Sequence, residues 1–100
     1  MIEVKISKDK KKYKTIKVLG HAMYNDYGKD IVCSAASSIV TTSINGILAL
    51  NKKSLSYLVS TKGMNISILS DDVTTQILID NMISLLKELE SNYPNNIKVN

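Results

Sequence analysis

Apolar and polar residues alternate at the start of the chain, with Ile2, Val4 and Ile6 on one side and Glu3, Lys5 and Ser7 on the other. A period of two predicts a strand over residues 2–7. A second strand is expected over Tyr13 to Leu19, where Ile16 and Val18 oppose Thr15 and Lys17. The lysine-rich stretch 8–12 reads as the turn between them, and Gly20 ends the second strand. Residues 22–30 lose any period and carry Asn25, Asp26, Gly28 and Asp30, the composition of a loop. After Asp30 the spacing becomes helical, with Val32, Ala35, Ala36, Ile39, Val40, Ser43 and Ile47 in the i, i+3, i+4 pattern. This predicts a helix over about 31–50, closed by Asn51 and by two lysines that suit its negative end. Leu55–Thr61 and Met64–Leu69 read as a hairpin turning at Lys62-Gly63. Asp71 or Asp72 can cap a second helix, with Val73, Ile77, Met82, Leu85, Leu86 and Leu89 as its buried stripe. Pro94 lies beyond that helix, and Ile97 and Val99 suggest a short last strand. The expected order is ββαββαβ, an α+β fold in which two helices pack on a mainly antiparallel sheet, with residues 1–100 as a single small domain.

Composition narrows the class. At 100 residues and 44% hydrophobic the chain can bury a core, but a small one, and dimerisation would add stability. No apolar run looks long enough to span a bilayer, and the alternating start does not resemble a secretory signal, so no membrane partner is expected. A single cysteine allows no internal disulfide, which fits a reducing compartment and a cytoplasmic location. The net charge is +4 and every basic residue is lysine. Five lysines fall between Lys8 and Lys14; they read first as a solvated hairpin turn and second as a weak electrostatic patch for ribosomal RNA. With no Arg, Phe or Trp, no specific nucleic-acid partner is expected.

The chain has one histidine, His21, directly after a strand, and one cysteine, Cys33, in the first turn of a helix. A thiol attacks as its thiolate, so a nucleophilic cysteine needs stabilised negative charge. With Asp30 as N-cap, Cys33 is the third helical residue, where free backbone N–H groups and the helix dipole favour a negative sulfur. A protonated His21 would add to this, and the same N–H groups could hold an oxyanion. Asp30 works against the thiolate unless it is engaged in capping or in orienting His21. The plainer alternatives are a small buried hydrophobe at Cys33 and an ordinary turn residue at His21. One His, one Cys and scattered carboxylates do not form a standard zinc set, so no metal is expected. Neither a G-x-S-x-G nor a glycine-rich phosphate loop occurs, and no cofactor is implied.

Gly20-His21-Ala22 followed by Tyr27-Gly28-Lys29-Asp30-Ile31-Val32-Cys33-Ser34-Ala35-Ala36-Ser37 resembles the ribosomal-processing cysteine protease family, Prp. Both halves of its pattern, G-H-A and G-x-D-I-V-C-x-x-x-S, stand in the right order and separation, and the resemblance extends over the chain. It implies a cysteine endopeptidase with Cys33 as nucleophile and His21 as general base, supported by Asp30 and Ser37. It also implies a homodimer, a flexible loop between His and Cys, and a defined substrate. That substrate is the N-terminal extension of large-subunit ribosomal protein twenty-seven, cut after a short hydrophobic segment ending in aromatic residues. Gly20, Ala22, Tyr24, Tyr27 and Gly28 would then belong to the substrate loop, although Tyr24 and Tyr27 could equally be loop anchors. Ser37 lies one turn after Cys33, and its hydroxyl could serve the site or bond its own helix. Two rival readings are a non-enzymatic ribosome-associated binding module, suggested by the lysines, and a redox-sensing thiol protein.

Overall fold

The computed structural model describes residues 1–20 and 31–100. Strand β1 (Ile2–Asp9) and strand β2 (Lys12–Leu19) form an antiparallel hairpin. The strands run closer together than the lysine run suggests, leaving only Lys10 and Lys11 as the turn, both at positive φ (53° and 69°). That is the primed turn whose twist suits a two-residue hairpin. The register breaks once, where Ser7 faces Thr15 but Lys8 faces Tyr13, so Lys14 is the extra residue of a bulge.

Helix α1 (Ile31–Leu50) leads into a second hairpin, strands β3 (Leu55–Ser60) and β4 (Gly63–Ile68), which turns at Thr61 and Lys62. Helix α2 (Val73–Asn92) and strand β5 (Ile97–Val99) complete the expected ββαββαβ order. The sheet order is β3-β4-β2-β1-β5, antiparallel throughout except that β5 lies parallel to β1. Period two sorts this sheet into two faces. Val4, Val18 and Met64 form one row on the inner face, Ile6, Ile16 and Ile66 the next. The outer face carries Lys5, Lys17 and Asn65 in one row and Ser7, Thr15 and Ser67 in another.

Both helices cover the inner face. Val32, Cys33, Ala36, Val40, Ile44 and Ile47 of α1 are buried, as are Thr75, Ile79, Met82, Ile83 and Leu86 of α2. The α1 stripe is turned slightly from the expected one: Ile44 and Cys33 go in, while Ala35, Ile39 and Ser43 are only half-buried. The α2 stripe departs further, because Val73, Ile77 and Leu85 are exposed. That helix is apolar on two sides, and docking on the sheet and α1 selects the Ile79–Met82–Ile83–Leu86 side. At 20 residues and a mean hydropathy of 1.5, α1 does reach the length and composition of a membrane span, unlike the reading from apolar runs. Here its polar residues Ser34, Ser38, Thr41, Thr42 and Asn45 are exposed and its opposite side packs into the core.

Asp72, the second of the two expected caps, holds the start of α2. Its carboxylate accepts from Thr75 N at 3.1 Å and from Thr75 Oγ1 at 2.7 Å, and also pairs with the Ser70 hydroxyl. Hydrogen bonds from Ser70 first and Thr75 second lower its carboxyl pKa from 3.8 to about 2. Gln76 fastens α2 to the bulged strand: Tyr13 N donates to its Oε1 at 2.8 Å and its Nε2 donates to Tyr13 O at 3.2 Å. Strand β4 pairs with β2 only as far as Thr15, so the Gln76 amide takes the place of a strand neighbour at Tyr13.

Candidate active site

The segment between the expected histidine and cysteine is anchored at both ends by described residues. At its upstream end Gly20 has φ 73°, and a Cβ there would sit 2.4 Å from Met1 O. Only glycine allows both that backbone angle and that approach. Its N–H donates to Lys62 O at 3.2 Å, tying the end of β2 to the β3–β4 turn. Gly63 serves the same end of the sheet. Its φ is 139° and a Cβ would lie 1.9 Å from Val18 O, so β4 can enter beside β2 only without a side chain. Sequence reading treated Gly63 as part of a turn; the Lys62-Gly63 pair was the available signal, but the contact with β2 is non-local.

His21, Ala22, Tyr24, Tyr27, Gly28 and Asp30 lie outside the described residues. Cys33 and Ser37 are on α1. Cys33 occupies the first turn, as expected, and only 7% of it is exposed. It joins Val32 and Ala36 in the core cluster, so the small-hydrophobe environment and the helix-start position coincide at one residue. Ser37 is half-buried one turn further along. The helix has no acidic residue in its first turn and no charged residue at all. The positive end of its dipole is therefore undiminished by any carboxylate of its own, and its first N–H groups have no intrahelical acceptor. Such N–H groups can receive negative charge on an oxygen bound beside the sulfur. Among the described residues no group of three His, Cys, Asp or Glu could hold a metal ion.

Hollows among the described residues that Cys33 does not line include one of about 270 Å³ between the end of α1 and the start of α2, beside Leu50, Ser54 and Thr75. A groove of about 440 Å³ runs between the helices, lined by Ile39, Gly46 and Ile47 of α1 and Leu78, Asn81 and Leu85 of α2. A smaller one of about 190 Å³ opens at the Gly20 end of the sheet beside Lys17, Ser60, Lys62 and Asn65. Met82, on the expected α2 stripe, is core, whereas Leu85 is 40% exposed at the edge of the interhelical groove.

The family model for cysteine protease Prp matches residues 1–98. A ribosomal processing cysteine protease Prp of Staphylococcus aureus is 32% identical over 104 residues, which cover 100% of this chain and 98% of the relative. The crystal structure of an essential ribosomal processing protease Prp from S. aureus in complex with a substrate peptide superposes with a TM-score of 0.87 at 29% identity. That match covers 100% of this chain and 98% of the other. A second S. aureus crystal structure, with a covalently linked product peptide, matches equally well (TM-score 0.87, 29% identity).

Proposed function

The chain belongs to the cysteine protease Prp family, and from that premise we propose that it processes a ribosomal protein, removing the N-terminal extension of large-subunit ribosomal protein twenty-seven. Family membership makes the chain a cysteine protease and sets aside the non-enzymatic module. The observation that carries the reading of the site is the place of Cys33, the only cysteine, in the first turn of an uncharged twenty-residue helix.

In the proposed mechanism His21 takes the thiol proton, leaving a thiolate paired with an imidazolium. The sulfur bonds to the scissile carbonyl carbon and the carbonyl π pair moves onto oxygen, where N–H groups at the start of α1 receive it. When that pair returns, the C–N bond breaks and the amine leaves with the proton held by His21. Water then adds to the thioester as His21 removes its proton. The C–S bond breaks, His21 returns its proton to sulfur, and the product departs as a carboxylic acid that loses its remaining proton to solvent. Asp30 and Ser37 support the pair, and Gly20, Ala22, Tyr24, Tyr27 and Gly28 border the extended substrate. The substrate offers a short hydrophobic segment ending in aromatic residues. The protein works in the cytoplasm as a homodimer with residues 1–100 as one protease domain; exposed Ile77 and Leu85 on α2 supply apolar surface for the partner copy.

The test uses the extended ribosomal protein from the same genome and reads cleavage by intact-mass spectrometry. Wild type trims the extension and Cys33→Ala leaves it whole. Continued trimming by Cys33→Ala removes Cys33 from the mechanism. An untouched substrate beside a thiol that iodoacetamide still alkylates removes the substrate assignment.

A further inference from the structure

Charge in this molecule is divided between its layers. Residues 2–20, 55–70 and 97–99, which make up the sheet and its turns, hold nine lysines against two acids, Glu3 and Asp9. Residues 71–93, which make up α2 and its cap, hold five acids against Lys87 alone. Helix α1 carries no charge. The molecule is therefore a dipole with its positive end on the sheet.

Not all of these lysines are available. Lys14 pairs with Asp71 at 3.4 Å, the one ion pair among the described residues, and Lys12 donates to Asp71 O at 3.4 Å. Lys8 stacks over the Tyr13 ring at 4.5 Å. The lysine run of the first hairpin is thus partly turned toward α2 and its own aromatic neighbour. The outer face is different. Lys5 lies directly opposite Lys17 across the β1–β2 ladder, both exposed. Like charges in that position repel and cost stability, so folding alone does not favour the arrangement. Ser7, Thr15, Asn65 and Ser67 occupy neighbouring polar positions, and the apolar positions on this face are Leu58, 72% exposed opposite Asn65 on β3, and half-buried Leu19. Lys98 lies across the ladder from Glu3 on β1, which offsets one charge. At the Gly20 end the 190 Å³ hollow places Lys17 and Lys62 with the hydroxyl of Ser60 and the amide of Asn65, beside Leu19 and Met64 and with no acid among the described lining residues, a donor set suited to a phosphate. Lys10 and Lys11 project at the opposite end.

We propose that the helix-free face of the sheet docks on RNA, gripping its phosphate backbone through Lys5, Lys17, Lys62 and Lys98 without reading sequence. Phosphate contacts position a protein but carry no base information, and this face has no arginine fork and no Phe or Trp to stack on a base. Both helices lie on the other face, so α1 and Cys33 stay clear of the RNA. The acidic α2 points away from it and orients the encounter. The inference needs no proteolysis and stands apart from the substrate reading.

About four phosphate contacts give a log–log salt slope of about −3 to −4, so affinity for RNA should fall roughly a hundredfold between 50 and 200 mM KCl. The test is fluorescence anisotropy of a labelled mixed-sequence RNA hairpin with the whole chain, over a KCl series. Lys5→Gln/Lys17→Gln should weaken binding and flatten the slope by about two; Lys62→Gln should flatten it by about one. Lys87→Gln on α2 should change neither, and circular dichroism melting should show every variant folded. Peptide cleavage, measured alongside, should be the same in all of them. Binding that ignores salt, or sheet variants that bind as tightly as the parent, overturns the proposal. So does equal affinity for polyglutamate or for phosphatidylglycerol vesicles, since the face would then be a general polyanion surface. A loss of cleavage with RNA binding intact counts against the protease reading alone.

Discussion

The Lys10–Lys11 turn offers a stability change whose size follows from two backbone angles. At φ 53° and 69°, both residues are left-handed. For an L-residue with a Cβ that conformation costs roughly 1–2 kcal/mol relative to its right-handed counterpart. Glycine pays no such penalty but loses about 0.5–1 kcal/mol more chain entropy on folding, and asparagine tolerates the region through its short polar side chain. Replacing Lys10→Asn and Lys11→Gly should therefore stabilise the fold by about 1 kcal/mol. For a domain of this size that corresponds to roughly 5 °C in Tm. The substitution also removes two positive charges from a lysine-rich hairpin, which could stabilise by itself. Lys10→Gln/Lys11→Gln makes the same charge change without the turn preference and is the necessary control. Thermal melts followed by circular dichroism at two salt concentrations separate the contributions: the charge effect shrinks with salt and the backbone effect does not. If the Asn-Gly variant melts no higher than the Gln-Gln variant, backbone strain at this turn is not what limits the hairpin.

Two glycines should respond oppositely to alanine. Gly63→Ala places a Cβ 1.9 Å from Val18 O on a backbone angle of 139° and should lower the urea midpoint by an amount equivalent to at least about 2 kcal/mol, whereas Gly46→Ala meets nothing within 4 Å in the middle of α1 and should raise stability by up to about 1 kcal/mol. Equal effects of the two would contradict the close approach at the sheet end. For Asp72, the folded pKa of about 2 lies below the unfolded value of 3.8, so its stabilisation is present above about 3.8 and disappears as pH falls from there toward 2. Urea titrations across that window should show a steeper acid loss in wild type than in Asp72→Asn; parallel curves would rule out the cap as a source of acid sensitivity. For Tyr13, burial first and then its bond to Asp80 raise the phenol pKa from 10 to about 12. Stability held by the protonated phenol is complete below about 10 and is lost as pH climbs through 12, a loss that Tyr13→Phe should remove from alkaline melts.

Local pattern determined more of this molecule than its pairings did. Alternation along residues 2–7 and 13–19 was enough to sort Val4, Ile16 and Val18 inward, because a strand half-covered by helices has only two sides. The helix after Asp30 was equally plain, and the cap of the second helix was narrowed to Asp71 or Asp72, since capping and helical spacing are short-range; the structure selects Asp72. Strand β5 lying parallel to β1 left no local mark, nor did the placement of β4 between β2 and β3. Helix α2 shows why. Val73, Ile77 and Leu85 form as good an apolar stripe on paper as Ile79, Met82, Ile83 and Leu86. The choice between them is made by elements distant in sequence: Gln76 reaching Tyr13, and Glu90 accepting from Val99 N at 3.0 Å. The buried position of Thr75 follows from the same docking, with its hydroxyl satisfied by Asp72.

Of the expected site, the described residues include Gly20, Cys33 and Ser37. A cysteine in a first helical turn marks chemistry only when something else selects it, and Cys33 is otherwise an ordinary small residue of the core, 7% exposed. Two glycines fix the other end of the segment that leads to it. Gly20 and Gly63 are each forced by backbone contacts at one end of the sheet, the end where β2 releases the chain toward His21. Both close approaches hold the chain's exit from β2 in one place, and α1 is anchored by six buried residues from Val32 to Ile47. The ten residues between Gly20 and Ile31 thus run between two fixed points, one next to the histidine and the other two residues before the cysteine. Elements packed into the core hold both ends of the segment, which under the proposed mechanism carries His21 and, with Gly20, the residues that border the substrate.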